Sequence, residues 1–333
     1  MCKRPTSSNG EKMTTRRVHP IIIGVHTSIA GGVAKAVLSA QSKNCDAFQI
    51  FARNPRGWRE RPLTPDEVRG FRDTRERAGL WPLAIHSVYL INLAAQDPLV
   101  LAQSRAAFRQ EIERALLLGA DYLVVHPGNP GVGIPELGME TAVESIKLAT
   151  QGIELQGAAA GRTGAGKSGA LTILIENTAG QGSSIGCSFE QVAEIVAALD
   201  ELPVGVCLDT QHTFACGVDI STEDGLKRTV GAVSRSFGFE RLKLIHCNDS
   251  KVPLGARVDR HEHIGLGYIG ADAFRRLTHN LKFRRIPFIL ETPIDNRHDD
   301  EWNLRRIREL ASDDRQYKTK ELVTGTGKGS ASG

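Results

Sequence analysis

Eight short apolar runs divide the chain, at 21–25, 47–51, 82–85, 122–125, 172–175, 204–208, 242–245 and 287–290, and seven of them give way at once to a residue that can bind a metal or carry a proton. Short apolar runs separated by longer segments of helical period are the pattern of parallel strands joined by crossover helices. In two such segments, 108–118 and 189–199, an apolar residue returns every three or four positions, as a helix with one buried face requires. Eight strand-helix units in 333 residues predict one α/β domain, a (β/α)8 or TIM barrel over 19–312.

The residues that end the runs are His26, His86, His126, Glu176, Asp209, His246 and Glu291. In a barrel the C-terminal strand ends converge on one mouth, so side chains distant in sequence point at a common centre. Asp209 and His212 share one turn after a strand, and Asp259 and His261 lie two apart, on one side of an extended segment. A lone histidine is most often a satisfied core or surface group. Five of them, His86, His126, His212, His246 and His261, beside carboxylates at converging strand ends form a metal-binding set. The donors are nitrogen and oxygen, which suits zinc and tolerates manganese or iron. With Glu176 and Glu291 able to bridge, they exceed what one ion needs. The expectation is a multinuclear site, the arrangement that activates water and stabilises both oxygens of a phosphoryl transfer.

Other features narrow the class. Cys2, Cys45, Cys187, Cys207, Cys216 and Cys247 include no C-x-x-C pair, so neither a disulfide framework nor a thiolate zinc site is expected, and a reducing compartment is the simpler setting. The excess of 42 Lys+Arg over 38 Asp+Glu permits nucleic acid without arguing for it. No apolar run approaches the roughly 20 residues that span a bilayer, so no membrane association is expected. Residues 1–18 read as a disordered basic arm without the amphipathic character of a transit peptide, and 313–333 as a disordered tail. The Gly- and Ala-rich segment 151–170 contains GRTGAGKS at 161–168, a literal match to the phosphate-binding P-loop. That motif works only between a preceding strand and a following helix, and here a strand follows, so the segment reads as a flexible insertion.

The ordered motifs HSVYLINL at 86–93, VHPG at 125–128, IENTAGQG at 175–182, CLDTQH at 207–212, HCND at 246–249 and RVDRH at 257–261 resemble the endonuclease IV family of apurinic/apyrimidinic endonucleases, as do GVHTS at 24–28 and NPRGW at 54–58. The resemblance spans about 24–292. It implies three zinc ions: His86 and His126 on the first, Glu176 shared with the second, Asp209, His246 and Glu291 completing the second, and His212, Asp259 and His261 on the third. It further implies zinc-dependent hydrolysis 5′ to abasic sites in double-stranded DNA, in base excision repair, by a monomer. That fits a prokaryotic cytoplasm and nucleoid or, in a eukaryote, nucleus or organelle. Glu176 or Glu291 would orient the attacking water. Arg56, Tyr89 and Leu90 match the family's DNA-inserting residues, and Lys251, Arg257 and Arg260 are candidate phosphate contacts, although loop residues of these kinds are commonly plain packing or solvated charge. Gln211, Cys247 and Leu266 depart from the familiar pattern and bear on the tuning of the ligands. Two other classes share parts of this signature: a metal-dependent sugar isomerase or epimerase, and a damage-binding protein without catalysis.

Overall fold

The computed structural model describes residues 21–58, 61–132, 134–155 and 170–312. Eight parallel strands close into a barrel: β1 (Ile23–His26), β2 (Ala47–Phe51), β3 (Leu83–His86), β4 (Tyr122–Val125), β5 (Thr172–Glu176), β6 (Val204–Asp209), β7 (Leu242–His246) and β10 (Phe288–Leu290), the last pairing back to β1. In the long connection after β7, β8 (Asp249–Ser250) and β9 (His261–Glu262) pair antiparallel as a small ribbon. Outside run α1 (Val33–Ser42), α2 (Pro65–Ala78), α3 (Pro98–Leu118), α4 (Pro135–Thr150) and α5 (Phe189–Ala197). The short α6 (Thr210–Ala215) springs from the end of β6, and α7 (Glu223–Arg235), α8 (Ala271–His279) and α9 (Asp300–Ser312) complete the set.

The expected TIM barrel is formed. Five strands run one residue past their apolar run, because backbone pairing continues through the polar residue: Glu176 pairs with Cys207, and Asp209 with His246. The segment at 108–118 is the second half of α3, whose start is set by Asp97. That carboxylate accepts the N–H groups of Leu99 at 2.8 Å and Val100 at 3.1 Å, with Pro98 in the first turn.

Side chains alternate along each strand, and the inward set forms its own buried cluster: Ala47, Ala84, Val124, Leu174, Cys207, Leu244 and Ile289. β1 contributes Gly24 at this level, where a Cβ would lie 1.8 Å from the Ala47 carbonyl oxygen. The larger core lies between strands and helices, with Phe48, Phe71, Phe108 and Phe274 fully buried.

The arm at 1–18, the tail at 313–333 and the GRTGAGKS stretch lie outside the described residues. The ends of the 151–170 segment meet: Leu171 N–H donates to the Leu155 carbonyl at 2.8 Å, between α4 and β5 and away from the barrel mouth. No helix among the described residues is long and apolar enough to cross a membrane.

Candidate metal centre

Two residues beyond the inward apolar cluster, the same face of each strand carries a polar layer. Gln49, His86, His126, Glu176, Asp209, His246 and Glu291 stand above Ala47, Ala84, Val124, Leu174, Cys207, Leu244 and Ile289, in that order, and His26 stands above Gly24. The period of the strand therefore turns one ring of small and apolar residues into one ring of donors at the C-terminal mouth.

These donors form overlapping groups. His86, His126 and Glu176 offer ligand atoms within 4.8 Å of one another, as do Glu176, Asp209, His246 and Glu291, and Asp209, His212 and His261. Asp259 joins the last group, with its oxygens 3.3 Å from both His212 Nε2 and His261 Nε2. The nine expected ligands are thus brought together, and Asp209, which the resemblance assigns to the second ion, belongs to the third group as well, as its shared turn with His212 allows: its Oδ2 is 3.7 Å from His261 Nε2. His26 ends β1 in the same layer but joins none of these groups among the described residues.

Four of the ring protons are already committed. His86, His212 and His261 donate from Nδ1 to the carbonyls of Ser87 (2.7 Å), Asn177 (2.9 Å) and Glu291 (3.1 Å), and His246 donates from Nε2 to Gln49 Oε1 at 2.9 Å. Each neutral ring then turns a lone pair inward, and these lone pairs meet carboxylate oxygens. His86 Nε2 is 3.0 Å from Glu176 Oε2, and His246 Nδ1 is 2.8 Å from Glu176 Oε1. Buried His212 Nε2 and His261 Nε2 have no hydrogen-bond partner. Facing lone pairs repel unless a proton or a metal cation lies between them, and a set of divalent ions would supply that positive charge to all of these groups, so the residues fit such ions. The electrostatics ask for the same charge. Burial opposes ionisation of Glu176, yet His246 and His126 hold its carboxyl well below the usual range. Burial would depress His246, yet Cys207, Glu176 and Glu291 hold it well above the ordinary imidazole value.

The remaining candidates surround this centre. Tyr89 is 71% exposed while its ring lies against Phe51 and His86, at 5.4 and 6.0 Å, so it stands at the rim of the mouth. Leu90 packs half-buried against the core. Arg56, Lys251, Arg257 and Arg260 are exposed on loops of the same end of the barrel. A cavity of about 210 Å³ opens beside His86 and His126, lined also by Tyr89, Asn92, Asn129 and Ser184. Of the departing positions, Gln211 is buried and donates to the Val258 carbonyl at 3.0 Å, next to Asp259; Cys247 is buried in the core and Leu266 is half-exposed. The sequence reading missed Gln49. It lies inside an apolar run, and only its parity with the other inward residues signals it.

The cysteine expectation is corrected. Cys187 and Cys216 form a disulfide, while Cys45, Cys207 and Cys247 are free and buried. The two partners lie 29 residues apart, and no local spacing marks them. They meet because Cys187 follows β5 and Cys216 follows β6, and those strands are neighbours. The cysteine pattern therefore does not argue for a reducing compartment. The bridge ties the loop carrying Gln181, whose side chain accepts the Asp259 N–H at 3.1 Å, to the helix carrying His212. Replacing both cysteines by serine is expected to cost about 3.5 kcal/mol for a separation of 29 residues. Urea midpoints would show it, and a reductant that left the wild-type midpoint unmoved would count against the bridge.

The family model described as xylose isomerase-like TIM barrel matches residues 37–312. A protein named probable endonuclease 4 from Solibacter usitatus is 44% identical over 292 residues, 87% of this chain and 96% of the relative. The chain belongs to the endonuclease IV family. The crystal structure of endonuclease IV from Thermus thermophilus agrees with it at a TM-score of 0.73 and 41% identity, covering 87% of this chain and 98% of that one. A 3-keto-D-glucoside 4-epimerase from E. coli, at 13% identity and a TM-score of 0.59, shares the fold alone. Endonuclease IV membership therefore rests on the extended identity and not on the barrel, which sugar epimerases also have.

Proposed function

We propose that this endonuclease IV family member uses three zinc ions to hydrolyse the phosphodiester bond 5′ to an abasic site in double-stranded DNA, leaving a 3′-hydroxyl and a 5′-deoxyribose phosphate, as a step of base excision repair. Family membership already makes it a phosphodiester hydrolase. The observation that carries the finer reading is the lone-pair geometry of three overlapping donor groups joined through Glu176 and Asp209. His86, His126 and Glu176 would hold the first ion, Glu176, Asp209, His246 and Glu291 the second, and His212, Asp259 and His261 the third. When bound, the cluster supplies Lewis-acid activation of water and offsets charge on the departing oxygen.

The two carboxylates named as catalytic have different parts. Glu176 is fully buried with both oxygens against imidazoles, so it serves as a ligand. Glu291 keeps 16% of its side chain exposed; burial opposes its charge, but His246 and His26 hold it below the usual carboxylate range. An ionised carboxylate at the mouth can accept a hydrogen bond from the attacking water and orient it. Arg56, Tyr89 and Leu90 would fill the gap left in the base stack, because a nucleotide without a base is cheap to extrude, and the cavity beside His86 would take its sugar. Lys251, Arg257 and Arg260 would meet backbone phosphates.

The test is a duplex bearing one abasic analogue, incubated with and without chelator. One incision 5′ to the lesion is expected, lost on chelation and restored by zinc. Glu291→Gln is expected to cut the rate by about a thousandfold while abasic-duplex binding stays near wild type. Turnover of an aldose panel without incision would put the chain with the epimerases, and lesion binding by a metal-free protein without incision would make it a binding protein.

A further inference from the structure

Gln49 stands in the polar layer between His26 and His86, fully buried, yet offers no ligand of the kind zinc favours. Its amide touches two of the nine proposed ligands. Oε1 accepts the His246 Nε2–H at 2.9 Å, and Nε2 donates to Glu291 Oε1 at 2.6 Å and lies 3.0 Å from His26 Nδ1. The orientation of the amide is unambiguous, since the flipped form would set its oxygen against the Glu291 carboxylate. The ring protons of His86, His212 and His261 that face away from the centre are held by the backbone carbonyls of Ser87, Asn177 and Glu291. Of these four rings, only His246 has its outward nitrogen fixed by a side chain.

We propose that Gln49 is a positioning residue for the second metal, selecting the Nε2–H tautomer of His246 and holding the Glu291 carboxylate so that both point at one ion. The inference rests on the zinc reading above. Without an acceptor at Nε2, the ring proton is better placed on Nδ1, where Glu176 Oε1 at 2.8 Å and Glu291 Oε2 at 3.3 Å both accept it. A proton there blocks the ligand atom. The same loss frees Glu291 to turn away from the shared ion.

The experiment titrates zinc into the metal-free full-length chain against a competing chelator, for wild type, Gln49→Met and Gln49→Glu, with the unfolding midpoint of each metal-free protein alongside. Wild type is expected to hold three ions. Gln49→Met, similar in length but without donor or acceptor, is expected to weaken one of them by about ten- to a hundredfold and leave the other two unchanged. The metal-free midpoint should hardly move, which a general packing defect would not allow. Gln49→Glu keeps an acceptor for His246 and sets a second carboxylate against Glu291 in place of the amide donor. It separates the two arms and remains readable where the Met variant does not fold: an intermediate loss assigns both arms, and a full loss assigns Glu291. Two variants that bind three ions as tightly as wild type would overturn the inference with the zinc reading intact; a wild type that binds no zinc would overturn both.

Discussion

Glu176→Ala is expected to leave the protein with one tightly held zinc in place of three and to slow incision at an abasic site by at least about a thousandfold. Glu176 belongs to both groups on the inner side of the mouth. One of its oxygens lies 3.0 and 3.1 Å from His86 and His126, and the other 2.8 Å from His246. On the zinc reading proposed above, its loss would remove the ligand shared by the first two ions, and both sites would lose affinity together. Asp259→Ala makes the contrast: that side chain is 43% exposed and, among the described residues, pairs with His212 and His261 of the outer group, so one ion should be lost and two kept. Elemental analysis after dialysis gives the count, and single-turnover cleavage gives the rate. Three retained ions in the Glu176 variant would refute the sharing.

The ring of donor side chains was legible because a strand puts chemistry and packing on a two-residue period. An apolar run followed by His or Glu reports both the strand and its inward face, as at Leu174 and Glu176 or Leu244 and His246. Gln49 obeys the same parity but is followed by Ile50 and Phe51, so the run does not break where the polar residue stands. The Cys187–Cys216 bridge and the packing of Gln211 against Val258 depend on which loops the barrel brings side by side. Such contacts across strands leave no mark at short range. The substrate is less legible still, because Arg56 and Tyr89 differ from ordinary loop residues only through the neighbours the fold gives them.

Arg53→Met is expected to be the most destabilising single change away from the centre, costing about 3 to 5 kcal/mol at pH 8 and much less at pH 5. Arg53 and Glu111 are both fully buried and lie 3.0 Å apart. Burial pushes the Glu111 carboxyl up to about 7, even with Arg53 and Arg114 beside it. A carboxyl raised above its unfolded value binds protons more tightly in the folded state. Stability therefore falls as pH rises from the unfolded value through about 7. Removing the arginine raises Glu111 further and extends that fall to higher pH, whereas in acid the carboxyl is neutral in either protein. Urea unfolding at the two pH values reads this directly, and an equal loss at both would show that packing, not charge, is at stake. Adding Glu111→Leu should recover most of the stability, since paired buried charges are often replaceable by apolar side chains. It should not recover DNA binding, because Arg53 Nη1 also donates to the Trp58 carbonyl at 3.3 Å and so anchors the loop that presents Arg56. A double variant with wild-type stability but weaker affinity for the abasic duplex would separate the two tasks of one buried arginine.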